Sequence, residues 1–393
     1  MPGRISLGLR IAAVPVLSAV IFIVETRHPY AMFRLLTFGA GFFLLADLAS
    51  LFGGKARDFL ITLTSLAFGI CLIEAAAIIL EPKEPTVILP KGLSAVRPII
   101  GWGPVHAGRY HVNKTDPKTG ATIFSADYTI DPNLIRQTFS CEKGPAVVFF
   151  GCSYTFGVGL NDGETLPQAF ADSLDHKQRV LNLGFAGYGP AQFLSELQSG
   201  SFDSVIGPQP KLFIFLTSVA HAERSACKPF WLRRGPRYAI ENGQLILKGD
   251  CYEGLGLWFR EWLERSASYR WLIEPYLRRI NHDDIELYIQ TTLAAVKYAK
   301  AKYGVPVIVL YFTSQADSGL HGTGFSTDIV LERLRDGGAT VVDTSLKDAA
   351  AAGLAITIPG DGHPTALANR MRAAILKNYL EQNMSQVLAS GAN

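Results

Sequence analysis

The chain has 393 residues, 48% of them hydrophobic and 18% charged, with a formal net charge of +3. That length exceeds one typical domain. The charge is small and unclustered, without the basic stripe that nucleic-acid binding requires, and there are no repeats or low-complexity tracts.

Up to Leu80 the chain is mostly apolar, and three segments read as membrane helices. A span needs roughly 20 apolar residues. Ile11–Val24 is short but reaches spanning length if Arg10 snorkels and Ile5–Leu9 join it. Leu35–Phe52 carries one acid, Asp47, and Phe59–Leu80 carries one, Glu74. The alternative for the first segment is a cleaved signal peptide, but Val24-Glu25-Thr26 is a poor small-residue cleavage site. Three retained helices are therefore expected. With the N-terminus inside, Arg4, Arg10, Lys55 and Arg57 are cytoplasmic while Arg27, Arg34 and Lys83 lie outside, a weak positive-inside bias. An odd number of spans then places residues 85–393 outside the cytoplasm, on a multi-pass protein of the cell (inner) membrane. Glu74 and Asp47 either mark an intramembrane site, face partner helices or lie near an interface. Cys227 and Cys251 flank a short polar insert and either pair in an oxidising compartment or remain free buried thiols.

Pro82, Pro85 and Pro90 make a stiff linker. Residues 97–140 have little periodicity, with Lys118-Thr119-Gly120 as a turn between two short strands, so 82–144 reads as a linker and small β-rich lead-in. From Pro145 the pattern is strand–helix alternation. Val147–Phe150 is a buried strand, followed by a helix over 164–174 with Asp162 or Gly163 near its cap. Next come a strand at Arg179–Asn182, a helix at Ala191–Leu197 and a strand at Leu212–Leu216. An insert, 228–282, holds a hairpin turning at Asn242-Gly243 and two amphipathic helices rich in Trp and Arg. Asp283 or Asp284 caps a long helix to about Tyr303. Strands at Val305–Tyr311 and Ala339–Val342, with helices at Thr327–Arg335 and Ala366–Tyr379, complete the pattern. The expected organisation is a membrane anchor over 1–81, the lead-in, and an α/β domain over 145–383 with a mostly parallel sheet covered on both faces.

Ser153 follows the first strand of that domain. Gly151 permits a tight turn there, and Gly157 and Gly159 keep the next loop flexible. The carboxyl end of a strand is where open α/β sheets place their ligands. Ser153 is thus either a nucleophile or a turn serine capping a helix.

Gly151-Cys152-Ser153-Tyr154-Thr155-Phe156-Gly157 resembles the first block of the SGNH (GDSL-like) hydrolases, with Cys152 in place of the usual Asp or small residue. Asn182-Leu183-Gly184-Phe185-Ala186-Gly187-Tyr188-Gly189 is similar to the second block, and Asp361-Gly362-His363-Pro364 to the last. The three fall in the family's order and spacing. The resemblance implies a flavodoxin-like, membrane-anchored serine enzyme that hydrolyses or transfers acyl esters without a cofactor. Ser153 would be the nucleophile, His363 its base and Asp361 the residue orienting His363. The N–H groups of Ser153 and Gly187 would form part of the oxyanion hole. These roles suit the chemistry: a serine needs an adjacent base, and a carboxylate fixes the imidazole tautomer. The two-residue step from Asp361 to His363 is shorter than the common three. The competing roles are helix capping for Asp361 and a plain loop position for His363.

One block departs from the family. Ala220 stands where the oxyanion-hole Asn usually lies, and Ala has no side-chain donor. His221 either supplies an N–H in its place or merely bonds the loop. Arg224 either binds an anionic substrate or carboxylate or does the same. An inactive domain that retains the scaffold and binds a glycan or partner is the alternative. His221-Ala222-Glu223 with Cys227 invites a metal reading, but no second ligand pair follows at suitable spacing, so no metal is expected. The expected substrate is a small acyl ester or an O-acylated envelope glycan. The insert is expected to lie over the sheet's carboxyl edge, where Trp231, Trp258, Trp262 and Trp271 either stack on sugars or pack helices.

Overall fold

A computed structural model describes residues 3–27, 31–313 and 319–389. The chain divides into two compact units, Met1–Lys83 with Glu253–Arg278, and Glu84–Tyr252 with Arg279–Asn393.

The first unit holds three helices, α1 (Gly3–Arg27), α2 (Ala31–Leu51) and α3 (Gly54–Leu80), each long and apolar enough to cross a membrane. Leu9, Phe22, Phe43, Phe59 and Ile79 are exposed on them. So much bare apolar surface suits lipid and not water. Their partner is part of the insert, the helix Gly254–Glu264 and the turns up to Leu277. Glu74 is buried, and its carboxylate accepts from the hydroxyls of Ser266 and Ser268 and from the N–H groups of Ala267 and Ser268. The acid in α3 is therefore an anchor for this segment. Asp47 keeps one carboxylate oxygen buried without a partner among the described residues.

In the second unit the apolar run Ala146–Gly151 forms a strand buried along its whole length. Alternate side chains serve opposite faces: Val148 and Phe150 join one core cluster, Val147 and Phe149 the other. A strand that is apolar on both faces belongs in the middle of a covered parallel sheet, and that is its position. Among the described residues the strands in chain order are β1 (Thr86–Ile88), β2 (Ala95–Arg97), β3 (Gly101–Gly103), β4 (Gly108–Thr115), β5 (Thr122–Ile130), β6 (Ala146–Gly151), β7 (Arg179–Gly184), β8 (Leu212–Thr217), β9 (Pro236–Glu241), β10 (Gln244–Asp250), β11 (Val307–Tyr311) and β12 (Thr340–Asp343). The main sheet has the order β12-β11-β8-β6-β7 and is parallel throughout. Counted within the sheet this is the flavodoxin-like order 2-1-3-4-5, whose switch point lies between β6 and β8. The chain thus has the expected flavodoxin-like α/β fold behind three apolar helices.

The lead-in is a second sheet, β1-β4-β5, antiparallel, tied to the edge strand β7 by bridges from Arg136 to Ile130 and Asn182. Arg136 is buried. It bonds Asp162 at 2.9 Å and the Leu160 carbonyl at 2.9 Å, and its guanidinium lies 4.2 Å from the Tyr128 ring centroid. That contact explains a missed cap: Asp162 serves Arg136, and Thr165 caps the helix Leu166–Ser173. Likewise Asn281 caps the helix His282–Tyr303, with Asp284 as the reciprocal partner of a capping box. The hairpin β9–β10 turns at Asn242-Gly243 with φ of +51° and +75°. Cys227 and Cys251 form a disulfide across it.

Candidate active site

β6 ends at Gly151, where φ is +147° and a Cβ would come within 2.9 Å of the Leu216 carbonyl oxygen on β8. Only glycine lets the chain leave the sheet so close to its neighbour. Cys152 then caps the short helix Ser153–Phe156, its Sγ accepting from the Tyr154 N–H at 3.5 Å. Ser153 is the first residue of that helix, beside the switch point, and 9% exposed. Asn182 of the second block donates to the Thr155 carbonyl at 3.0 Å and accepts from the Gly184 N–H at 3.0 Å. It locks β7 to the serine helix.

The last block is a tight loop. Ile358 N–H donates to the His363 carbonyl, and the N–H groups of Asp361 and Gly362 donate to the Ile358 carbonyl. Asp361 does not cap the helix that follows, Ala366–Asn383; Thr365 does, accepting from the Ala368 N–H. The Asp361 side chain is 1% exposed and lies 2.5 Å from His363 Nδ1. Its other oxygen accepts from Lys114 Nζ, on β4, at 2.5 Å. Burial opposes the Asp361 charge, but the bonds and charges of His363 and Lys114 outweigh it and hold the carboxyl at about 2. Asp361 is therefore ionised at neutral pH.

Tyr154 brings the first and last blocks together. Its ring stacks on Phe312 at 4.3 Å and lies 5.5 Å from the His363 ring, and its hydroxyl donates to the Gly362 carbonyl at 2.9 Å. Burial, with some help from Cys152, pushes this phenol up to about 12, so it stays a donor. The Ser153 hydroxyl makes no hydrogen bond to a described residue, so the structure joins the two blocks through Tyr154 and leaves the Ser153–His363 bond unformed.

Gly187 is the third element. Its φ is +87°, and a Cβ would meet Trp231 at 2.6 Å and Trp102 at 3.0 Å. Two indoles thus pack against the one residue that can leave them room. Trp102 also donates to the Ala186 carbonyl at 2.8 Å. Arg224 donates to the Tyr188 carbonyl at 2.7 Å with its guanidinium 5.6 Å from the Trp231 centroid. That bond ties Arg224 to this loop. His221 is buried, with Nδ1 3.0 Å from Thr217 Oγ1. Burial, aided by the Arg224 charge, depresses its basicity well below that of an ordinary histidine, so it is neutral and keeps a single N–H. Cys227 is taken by its disulfide, which removes it from any ligand set with His221 and Glu223.

Of the four tryptophans of the insert, Trp231 lies against Gly187, whereas Trp258, Trp262 and Trp271 belong to the unit of the three apolar helices. Sequence reasoning missed Lys114, Tyr154 and Trp102. Tyr154 sat inside a quoted block, but Lys114 and Trp102 lie in the lead-in, where no local pattern marks them.

No family model and no curated protein matches the chain. Among solved structures it is similar to the psychrotrophic esterase EstA from Pseudoalteromonas sp., at 10% identity and a TM-score of 0.37 over 62% of this chain and 100% of that one. It is also similar to a carbohydrate acetylesterase family member from Sinorhizobium meliloti, at 12% identity and a TM-score of 0.34 over 62% and 99%, and to AlinE4, an SGNH-hydrolase family esterase, at 15% identity and a TM-score of 0.35 over 62% and 99%. Likenesses this slight add nothing to the strand order and the site geometry.

Proposed function

We propose that the chain is a membrane-anchored serine hydrolase of ester bonds. The observation that carries this is the Asp361–His363 pair at 2.5 Å, on a loop bonded to the residue beside Ser153 at the switch point of the sheet. Ser153 Oγ attacks the ester carbonyl while His363 takes its proton; the alcohol leaves with that proton, and water releases the acyl group by the reverse path. The N–H groups of Ser153 and Gly187 stabilise the oxyanion, and Gly187 N–H donates to no described residue. The His221 ring is engaged by Thr217 at the end of β8. An acceptor other than water turns the same acyl-enzyme into a transferase. The α/β domain works outside the cytoplasm of the cell (inner) membrane, a placement supported by the Cys227–Cys251 disulfide. A fluorophosphonate probe is expected to label the full-length protein stoichiometrically, with the adduct on Ser153 by peptide mapping. Absence of both labelling and ester turnover would favour the glycan- or partner-binding alternative.

Lys114 competes with His363 for the carboxylate of Asp361. Lys114→Met removes a positive charge from the pair, so the protonated imidazole is better stabilised. The acidic limb of the pH profile of kcat/KM is expected to move up by about one unit, and Lys114→Arg to restore it. An unmoved limb would leave Lys114 a purely structural residue.

A further inference from the structure

The lead-in sheet and the α/β domain enclose a cavity of about 170 Å³. Val112 and Phe124 line it from β4 and β5, Phe156 and Val158 from the serine helix and the turn after it, and Phe185 from the loop that leads to Gly187. Lys114, Asp361 and His363 line it too and bond one another, with Ser94, Trp102 and Tyr128 as the other polar side chains of the lining. What enters therefore meets mostly hydrocarbon walls and, among them, the proposed base. We propose that this cavity holds the acyl chain of the ester, and that the substrate class is a medium-chain acyl ester and not an acetyl ester. A sugar ring would leave its hydroxyls unpaired against Val112, Phe124 and Phe156. An apolar cavity of about 150 Å³ takes benzene, so this one takes a chain of about six carbons. In the acyl transfer the bond from Ser153 Oγ to the acyl carbon forms, the ester C–O bond breaks, and the chain stays in the cavity until water releases it.

The proposal rests on the serine-hydrolase reading, and the test separates the two. Full-length protein in detergent is assayed with p-nitrophenyl esters from acetate to dodecanoate. The expected kcat/KM peaks near hexanoate, at least about tenfold above acetate, since each buried methylene adds to binding. Val112→Trp fills the cavity, and Val158→Phe does so from a half-buried position that folding tolerates better. Both are expected to lower the hexanoate-to-acetate ratio at least about tenfold. A wild type that prefers acetate, or a ratio unchanged in both variants, overturns the acyl cavity and leaves the hydrolase standing. Absence of turnover on every ester together with absence of fluorophosphonate labelling overturns the hydrolase reading itself.

A separate set of contacts concerns the segment Glu253–Arg278. Glu25 in the last turn of α1, Arg34 in the first turn of α2, and Glu74 and Glu81 at the end of α3 all lie at one end of the helices. The segment meets every one of them. Arg34 donates to the Trp262 carbonyl and lies 4.0 Å from its ring centroid, Arg265 donates to the Glu25 carbonyl, and Arg270 forms a two-pronged bond to Glu81. Glu74 precedes the end of α3 at Leu80 by about 9 Å of helix, so the Ser266–Ser268 turn that binds it reaches that far in. Yet Leu255 is 86% exposed, and Trp258, Phe259, Leu272, Ile273 and Leu277 are exposed as well. Taking the three helices as spans, we infer that this segment lies in the membrane interface with those side chains among lipid acyl chains, as an amphipathic helix held by its charges to the span ends.

The test uses the full chain in phosphatidylcholine vesicles, some made with lipid brominated near the headgroup end of the acyl chain. The fluorescence difference between wild type and Trp258→Phe isolates the emission of Trp258. It is expected to be quenched by the brominated lipid and shielded from aqueous iodide. Quenching by iodide with no effect of the brominated lipid overturns the inference.

Discussion

Replacing Ser153 by alanine is expected to abolish ester turnover, by about 10⁴-fold or more, while leaving the fold intact. The size of the loss follows from covalent catalysis: without the hydroxyl there is no acyl-enzyme, and only binding and the oxyanion donors remain. The preserved fold follows from the local contacts. Cys152 caps the helix Ser153–Phe156 through its own sulfur, and the Ser153 carbonyl accepts from Gly157 and Val158. None of these uses the serine hydroxyl, and alanine is the best helix former. Thermal unfolding of Ser153→Ala should therefore match the wild type within about 0.5 kcal/mol. Steady-state hydrolysis of p-nitrophenyl hexanoate and a melting curve on the same preparation decide the matter. Turnover retained within tenfold would remove Ser153 from the mechanism, whatever becomes of the fold.

The legible part of this chain was the part written in local pattern. Ala146–Gly151 reads as a central strand because both of its faces are apolar, and the hairpin turn reads from Asn242-Gly243 because both residues take positive φ. Each of the three blocks likewise carries its own short-range signature, a glycine exit from a strand or an Asp two residues before a His. What the pattern did not carry was long-range pairing. Asp162 stands where a cap is expected, but the buried Arg136 claims it, and that arginine sits on no periodic face. Lys114 pairs with a residue 247 positions away, and nothing around it distinguishes it from any other lysine on a half-exposed strand. The insert shows the same limit. Its Trp- and Arg-rich composition fits packing on helices as well as stacking on sugars, and the acid that holds its Ser266–Ser268 turn, Glu74, lies in an apolar helix far upstream.

Asp361→Asn tests the other half of the proposed dyad, and its expected cost in kcat/KM is about 10³–10⁴-fold. The amide preserves the shape of the side chain but can present an N–H to His363 Nδ1 where the carboxylate accepted one, so the imidazole is held in the wrong tautomer and its protonated form loses its counter-charge. The same change leaves Lys114, half enclosed by the apolar cavity, without its anion. Double replacement by Asn at 361 and Met at 114 should therefore recover stability without recovering activity, which distinguishes a catalytic carboxylate from one that only neutralises a lysine. The pH dependence carries a sign. The Asp361 carboxyl is held at about 2, below the ordinary 3.8. Its contribution to stability is fully present above the ordinary value and is lost as the pH falls towards 2. The gap in unfolding free energy between wild type and Asp361→Asn should accordingly be widest above about pH 4 and narrow towards pH 2. A gap that does not vary across that range would mean that the two partners do not hold the carboxylate in its charged form.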